Sequence, residues 1–417
     1  MNKQIGAFFT AAIFQVASLC ATWLPIEAMA DELDALINEA SIDLSFRYRY
    51  EGVDLDNFSK DAQASTLRSR LSLQTGTYRE FDLFVEIDDV HVLIEDDYNA
   101  GAGNTLSKTS YPVVADPEGT EVNQAFLDYN GIKQWRVRFG RQRINLDNQR
   151  FVGGVSWRQN EQTYDAVSTE FKNEQITGFY VYVANVNRIF SSDVSAGDHD
   201  QGSTHLFNIS TKLASVGKLS GYIYIIDNHD AALFSTATYG ARLSGNYTHG
   251  SDSASNPQFG YTLEFARQSD AGNNPAHYSA SYLSLEGNLT IRIVTASIGW
   301  EVLSGDADSL ANEAFRTPLA TLHAFNGWAD VFLTTPGAGL DDKYVKLKIS
   351  EGSWILQARY HKFEAEDGNA DYGDELNLRV GYKFNKRMRG DLFYASFDGD
   401  NGFANVSKFW LAVSLTL

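Results

Sequence analysis

The chain has 417 residues, 43% hydrophobic and 13% aromatic, with Phe 26 and Tyr 21 against Met 3 and Pro 7, a bias toward strand formers. A formal net charge of −19 excludes wrapping a nucleic-acid backbone. Mean hydropathy is −0.28, and a single apolar stretch could cross a bilayer as a helix, which excludes a multi-helix membrane protein; the aromatic content excludes a disordered chain.

The apolar stretch opens the chain. Lys3 supplies a positive start, Ile5 to Trp23 is mostly apolar, and Ala28-Met29-Ala30 fits a small-x-small cleavage site. Residues 1–30 read as a secretory signal and 31–40 as a short periplasmic segment. Thr10, Gln15, Ser18 and Thr22 interrupt the stretch and argue against an uncleaved anchor helix. The only cysteine, Cys20, falls inside the signal and follows Leu19, too bulky for a lipoprotein site. The mature chain therefore has no thiol for a disulfide. A closed hydrogen-bonded barrel, which has no free edge, would hold such a chain together.

Period-two alternation then runs along the chain. Ile42, Leu44, Phe46, Tyr48 and Tyr50 oppose Asp43, Ser45, Arg47 and Arg49. Leu67, Leu71 and Leu73 oppose Arg68, Arg70, Ser72 and Gln74; Phe81, Leu83, Val85 and Ile87 oppose Asp82, Glu86 and Asp88. Trp135, Val137 and Phe139 oppose Arg136 and Arg138. Phe259, Tyr261, Leu263 and Phe265 oppose Thr262 and Glu264. Val345, Leu347 and Ile349 oppose Lys346 and Lys348, and Leu376, Leu378, Val380, Tyr382 and Phe384 oppose Glu375, Asn377, Arg379 and Lys383. The final segment alternates from Phe409 to Leu417, in the manner of a closing strand of an outer-membrane barrel, although Leu417 stands where an aromatic is usual.

Strands are predicted at 41–51, 64–75, 80–91, 122–130, 132–141, 163–172, 176–187, 203–214, 218–227, 237–249, 257–268, 277–287, 289–302, 342–351, 353–363, 374–384, 389–397 and 406–417, eighteen in all, to within two. Alternation is weak in the sixth, ninth, twelfth and seventeenth, and the thirteenth shifts register near Val294-Thr295. A soluble sandwich would bury the apolar face; a membrane barrel turns it to lipid and lines its lumen with the charged one. The near-complete coverage, the strand length and the lack of a useful amphipathic helix favour an all-β transmembrane antiparallel barrel over 41–417. Its connections alternate short and long. Tyr129-Asn130-Gly131-Ile132, Asn173-Glu174-Gln175, Ser215-Val216-Gly217 and Gly287-Asn288 are the predicted periplasmic turns. Val92 to Glu121, Gln142 to Gln162 and Leu303 to Asp341 are the long loops expected outside.

The charge is uneven. Val92 to Glu121 carries six acids against Lys108, and Glu364 to Glu375 carries six without a base. Both are expected outside the cell; acidic loops can share divalent cations with lipopolysaccharide, but a solvated surface is the plainer reading. Between 136 and 158 lie six arginines: Arg136, Arg138, Arg141, Arg143, Arg150 and Arg158. The first two face inward by parity, and the others fall in the gap after the fifth strand. An arginine-rich loop among acidic ones is explained if it folds into the lumen. Arg47, Arg49, Arg68, Arg70, Lys346, Lys348, Arg359, Arg379 and Lys383 would share that space. Rings of Arg and Lys favour anions, and guanidinium grips carboxylates bidentately. The alternative is structural pairing with Asp82, Glu86, Asp88 and Glu375, and both stay open.

The stretch Phe139-Gly140-Arg141-Gln142-Arg143-Ile144-Asn145-Leu146-Asp147-Asn148-Gln149-Arg150-Phe151-Val152-Gly153-Gly154-Val155-Ser156-Trp157-Arg158-Gln159-Asn160 resembles the alginate-export family of outer-membrane porins. So does Thr317-Pro318-Leu319-Ala320-Thr321-Leu322-His323-Ala324-Phe325-Asn326-Gly327-Trp328-Ala329-Asp330. The resemblance implies an eighteen-stranded barrel with an arginine-lined constriction that passes an anionic uronate polymer. On matching positions it points to Arg136, Arg138, Arg141, Arg143, Arg150 and Arg158, with Asp147 and Asp165 as acidic partners. The loop from Leu303 to Asp341 could fold inward as a plug or gate, with His323, Trp328 and Asp330 on the solute or simply packing the loop.

The leading function is thus a bacterial outer-membrane channel for anionic solutes, an acidic saccharide among them. The alternatives are a general small-solute porin and a plugged structural or adhesion barrel. An enzyme is not expected: the eight histidines are scattered, and neither Gly-x-Ser-x-Gly nor His-Glu-x-x-His occurs. No cofactor or metal is expected. The partners are outer-membrane lipid, lipopolysaccharide and the anionic solute, with a periplasmic export partner left open.

Overall fold

The computed structural model describes residues 36, 38–248, 256–309, 313–368 and 370–417. The secretory signal at 1–30 lies outside the described residues. The strands are β1 (Ser41–Leu55), β2 (Ala62–Gln74), β3 (Phe81–Asp97), β4 (Gly119–Ile132), β5 (Trp135–Gln142) and β6 (Thr163–Lys172). They continue as β7 (Ile176–Asn187), β8 (Asp198–Leu213), β9 (Gly217–Ile226), β10 (Thr236–Thr248), β11 (Gln258–Asp270) and β12 (Ser279–Ile291). The last are β13 (Val294–Leu303), β14 (Leu340–Glu351), β15 (Trp354–Glu364), β16 (Asp371–Lys383), β17 (Met388–Gly399) and β18 (Val406–Thr416). Each pairs antiparallel with its sequence neighbours, and β1 pairs with β18 from Ser45↔Thr416 to Leu55↔Val406, closing one 18-stranded barrel.

The two faces are inverted relative to a soluble protein. Leu71, Ile87, Val167, Ile223, Phe265, Ile298, Val345, Leu378 and Phe409 are exposed on the outside. Arg49, Glu51, Glu301, Asp342 and Glu375, on the opposite parity, are buried inside. Lipid is the solvent that makes this stable, and closure gives every strand a hydrogen-bonded neighbour on both sides. Among the described residues no helix is long and apolar enough to cross a membrane.

One rim carries short turns and the other long loops, the longest being 98–118, 143–162 and 304–339. Two predicted turns move. β4 runs through Gly131 to Ile132 and turns at Lys133-Gln134; β12 runs through Gly287-Asn288 and turns at Arg292-Ile293. In both, a non-glycine residue takes the left-handed conformation, Gln134 at φ 69° and Arg292 at φ 53°. The register shift expected near Val294 is therefore the turn itself. The acidic segment Glu364 to Glu375 is not one outer loop: its ends belong to β15 and β16, and Glu375 is wholly buried in the lumen.

Candidate functional site: two loops folded into the lumen

The third and seventh long-rim connections, L3 (143–162) and L7 (304–339, described except for 310–312), join inside the barrel. Val152 and Leu319 form a parallel bridge. Gly153 N–H donates to Leu319 O at 2.8 Å and Thr321 N–H to Gln149 O at 3.0 Å. The Thr321 hydroxyl donates to Gln149 Oε1 at 2.7 Å, and Gln162 Nε2 to Leu319 O at 3.1 Å. A loop drawn into the lumen must satisfy its backbone there, and these bonds do so.

L3 is fastened to several walls. From β1, Arg47 donates to Ser156 O at 2.8 Å and Gln159 Oε1 at 2.9 Å, while Arg49 donates to Trp157 O and lies 4.3 Å over the Trp157 ring. From β2, Arg68 donates to Gln159 O at 3.2 Å, and Arg70 grips Asp88 with two bonds of 2.6 Å and reaches Glu161 at 3.2 Å. The loop's own arginines reach outward to acids. Arg143 meets Glu86 at 3.1 Å, Arg150 meets Glu301 at 2.8 Å, and Arg158 meets Glu51 at 2.9 Å. Glu161 is held down to about 2: burial opposes its charge, but Arg70, Arg143 and Arg68 outweigh it.

Two carboxylates hold the segment of L7 from His323 to Asp330 at its centre. Glu375 Oε1 on β16 accepts the N–H groups of Trp328 at 2.5 Å and Ala329 at 2.8 Å. Gly327, at φ 86°, permits this approach, since a Cβ there would overlap the Glu375 carboxylate. Asp330 binds His323 Nδ1 at 2.7 Å, Arg158 at 3.2 Å and Lys408 of β18 at 3.2 Å. Burial opposes ionisation of Asp330, yet these three neighbours hold its carboxyl well below the usual range. Burial lowers His323, despite Asp330. The His323 ring stacks on Trp157 at 4.1 Å, and Trp157 packs edge-on against Phe393 at 5.1 Å and Trp410 at 5.6 Å. One aromatic knot thus ties L3, L7 and the β17–β18 wall.

The remaining basic residues divide by partner. Arg136 meets Glu170 at 3.1 Å near the short-turn rim, and Arg138 grips Asp128 with two bonds of 2.7 Å. Arg141 does not line the lumen: it belongs to β5, shares the outward parity of Val137 and Phe139, and binds Asp165 at 2.8 Å. Asp147 is no arginine partner; it accepts from Asn208 at 2.7 Å, Ser220 at 2.7 Å and Lys218 at 3.2 Å. Asp82, offered as a partner, instead binds Thr77 and Asn130. Lys346 meets Glu286 at 2.6 Å, and Arg379 meets Asp391 at 2.9 Å.

On the β14–β15 wall two cations meet no carboxylate among the described residues. Arg359 lies 4.9 Å over the Trp328 ring, with the Gln357 amide turned so that its oxygen accepts at 2.6 Å. Lys348 is exposed and makes no hydrogen bond or ion pair among the described residues. Cross-strand register sets these side by side: Lys346 opposite Arg359, Lys348 opposite Gln357, and Gln357 opposite Arg379. Like charges at such spacing repel unless an anion joins them. The inward acids Glu51, Glu301 and Asp342 were not singled out from sequence, although each shares the parity of inward neighbours. Asp342 accepts from His361 at 2.9 Å and Asn326 at 3.1 Å, extending the network that begins at Arg150.

The profile of the alginate export family matches residues 38–291, more than half of the chain. No curated protein matches it. The fold is similar to Pseudomonas aeruginosa OccK9 (OpdG), with a TM-score of 0.70 at 14% identity over 92% of this chain and 99% of that one. Acinetobacter baumannii OccAB2 gives 0.70 at 16% identity over 92% and 99%. Pseudomonas aeruginosa OpdK, solved with vanillate, gives 0.70 at 11% identity over 92% and 99%. At these identities the likeness is one of fold. With a family profile over most of the barrel and a lipid-facing apolar belt around it, the chain belongs to the alginate export family and is a channel of the bacterial outer membrane.

Proposed function

We propose that the channel passes anionic solutes, acidic saccharides of the uronate type among them, along the basic wall of β14–β16, with L3 and L7 as its constriction and L7 as the gate. The observation that carries this is Lys348, exposed and without a partner among the described residues, beside Arg359, which touches no carboxylate. The inward acids are largely spent on fastening loops, so the net charge of −19 does not describe the path. Cationic linings of this kind lower the barrier for anions. The fold neighbour OpdK was solved with vanillate, and a carboxylate is what the two readings share. In this reading residues 1–30 are removed on export, 31–40 remain periplasmic, and lipopolysaccharide surrounds the long-loop rim.

The test is the reversal potential of the refolded channel in a planar bilayer under a salt gradient. Anion preference is expected. Cation preference would mean that inward acids such as Glu86 and Asp88 govern the constriction. Weak selectivity would favour a general small-solute porin, and a silent barrel would favour a structural or adhesion role.

A further inference from the structure

A recess of about 670 Å³ opens on the long-loop side of the L3–L7 knot. That volume is of the size that small-molecule sites occupy, roughly 300–1,000 Å³. Its walls come from separate loops. Phe58 belongs to the β1–β2 connection, Phe190 to β7–β8, Phe234 to β9–β10 and Phe403 to β17–β18, while L7 adds Leu322 and Pro318. Four phenyl rings from four connections give the lining a large apolar share, beside the amides of Asn57 and Gln162 and the hydroxyls of Thr317, Thr334 and Thr335. Against those four rings a polyhydroxylated sugar would give up hydrogen bonds to water, a cost that an apolar body avoids.

The charged groups in this lining are mostly cations. Arg158 and Lys408 are already engaged by Asp330, each at 3.2 Å. Arg188 is not. Its guanidinium donates to Ala196 O at 2.9 Å, approaches His199 Nε2 at 3.4 Å and lies 4.8 Å over the Phe190 ring, and none of these contacts is a carboxylate. Burial with no anion beside it draws the Arg188 guanidinium below its ordinary range, although it stays charged. A half-buried guanidinium with spare donors beside a phenyl face is suited to a planar carboxylate held on an aromatic frame.

We propose that this recess is a binding site for an amphipathic organic monocarboxylate with an aromatic body, its carboxylate on Arg188 and its ring among Phe190, Phe58 and Phe234. The site deepens the anion-channel reading and rests on it. It also narrows that reading, because an aromatic monocarboxylate would be captured at the outer mouth in preference to a uronate.

The experiment is isothermal titration of the full refolded channel with three probes: 3-phenylpropionate, its uncharged amide, and galacturonate. 3-Phenylpropionate is expected to bind, and the other two about tenfold more weakly or less, the loss that follows from removing one charged contact or the apolar body. Arg188→Gln should weaken 3-phenylpropionate binding by about tenfold. Phe190→Leu, which keeps the guanidinium, should weaken it too and serves if the first variant fails to show the gel shift of a folded barrel. Equal binding of the three probes, no binding of 3-phenylpropionate, or unchanged binding in both folded variants would overturn the proposal. Anion-selective conductance without 3-phenylpropionate binding would overturn this inference alone. Cation-selective conductance would overturn the channel reading and the inference with it.

Discussion

Arg158 and Glu51 meet at 2.9 Å although 107 residues separate them, and both side chains are almost wholly shielded from solvent. The pair clamps L3 to β1 and shares Arg158 with Asp330 of L7. Without Arg158, Glu51 keeps Arg49 at 2.7 Å and Asp330 keeps His323 and Lys408, so the loss is that of charge-assisted hydrogen bonds, about 1.5–3 kcal/mol. Arg158→Ala is therefore expected to lower resistance to guanidinium unfolding by that order and to make single-channel current noisier. A variant with the wild-type denaturation midpoint and quiet current would show that the clamp does not hold L3.

Reversing charge on the open wall should change selectivity without unfolding the barrel. Lys348→Glu with Arg359→Glu replaces two cations that touch no carboxylate. Each exposed unit charge near a passing ion is worth about 1 kcal/mol, so a several-fold shift toward cations is expected in the permeability ratio. Arg138→Glu should behave differently. It faces Asp128 in a bidentate pair, so its first effect is on stability. A shift from Arg138→Glu equal to that from the open wall would place Arg138 on the conduction path as well.

Glu375 holds L7 by accepting two backbone N–H groups. Glu375→Ala leaves those donors unpaired in a buried place, at about 1–3 kcal/mol. The expected outcome is a higher mean conductance as L7 loosens, with the gel shift of a folded barrel retained. Conductance at the wild-type level would mean that the Asp330 cluster and the Asn326 bonds to Glu301 and Asp342 fix L7 without Glu375.

Acid should release both loops, and the sign follows from three groups. Glu161 titrates at about 2 when folded against an ordinary 4.5, so its contribution is complete above that ordinary value and lost as pH falls toward the folded one. Asp330, also depressed, acts in the same sense below its ordinary 3.8. His323 is lowered from 6.5, so the folded state resists its protonation and loses stability as pH drops below that value. Thermal stability should be flat above about pH 6.5, decline gently below it and fall steeply under about pH 4.5. His323→Leu should remove the gentle decline only. A decline that persists in that variant would assign it to another group.

The barrel itself was legible because its signal is local. β7 falls at the predicted bounds, since alternation is read over a few neighbouring residues, and β6 does so too although its alternation is weak. Turns were less legible where Gly-Asn sat inside a strand. Gly287 faces outward with open space beside it, so the sheet continues through a dipeptide that elsewhere would end it. The six arginines drew attention to L3, and parity placed Arg136 and Arg138 inward. Their roles were not legible. Arg150 finds Glu301 at a separation of 151 residues, and no spacing in the sequence announces such a partner. Arg141 shows the same limit at short range, because whether it continued β5 or began the loop decided which side of the wall it faced.

The seam where Tyr48 faces Val413 has a kinetic consequence. A chain delivered from its N-terminus presents β1 long before β18 arrives, and in that interval one side of β1 is an unsealed row of donors and acceptors. Such an edge recruits strands from other chains. Pairing across this distance is also slow to find, because the whole intervening chain must be ordered first. Secretion therefore passes through a vulnerable, sticky stage whose length is set by the arrival of β18. Loss of that strand would leave an aggregation-prone sheet in place of a narrower pore.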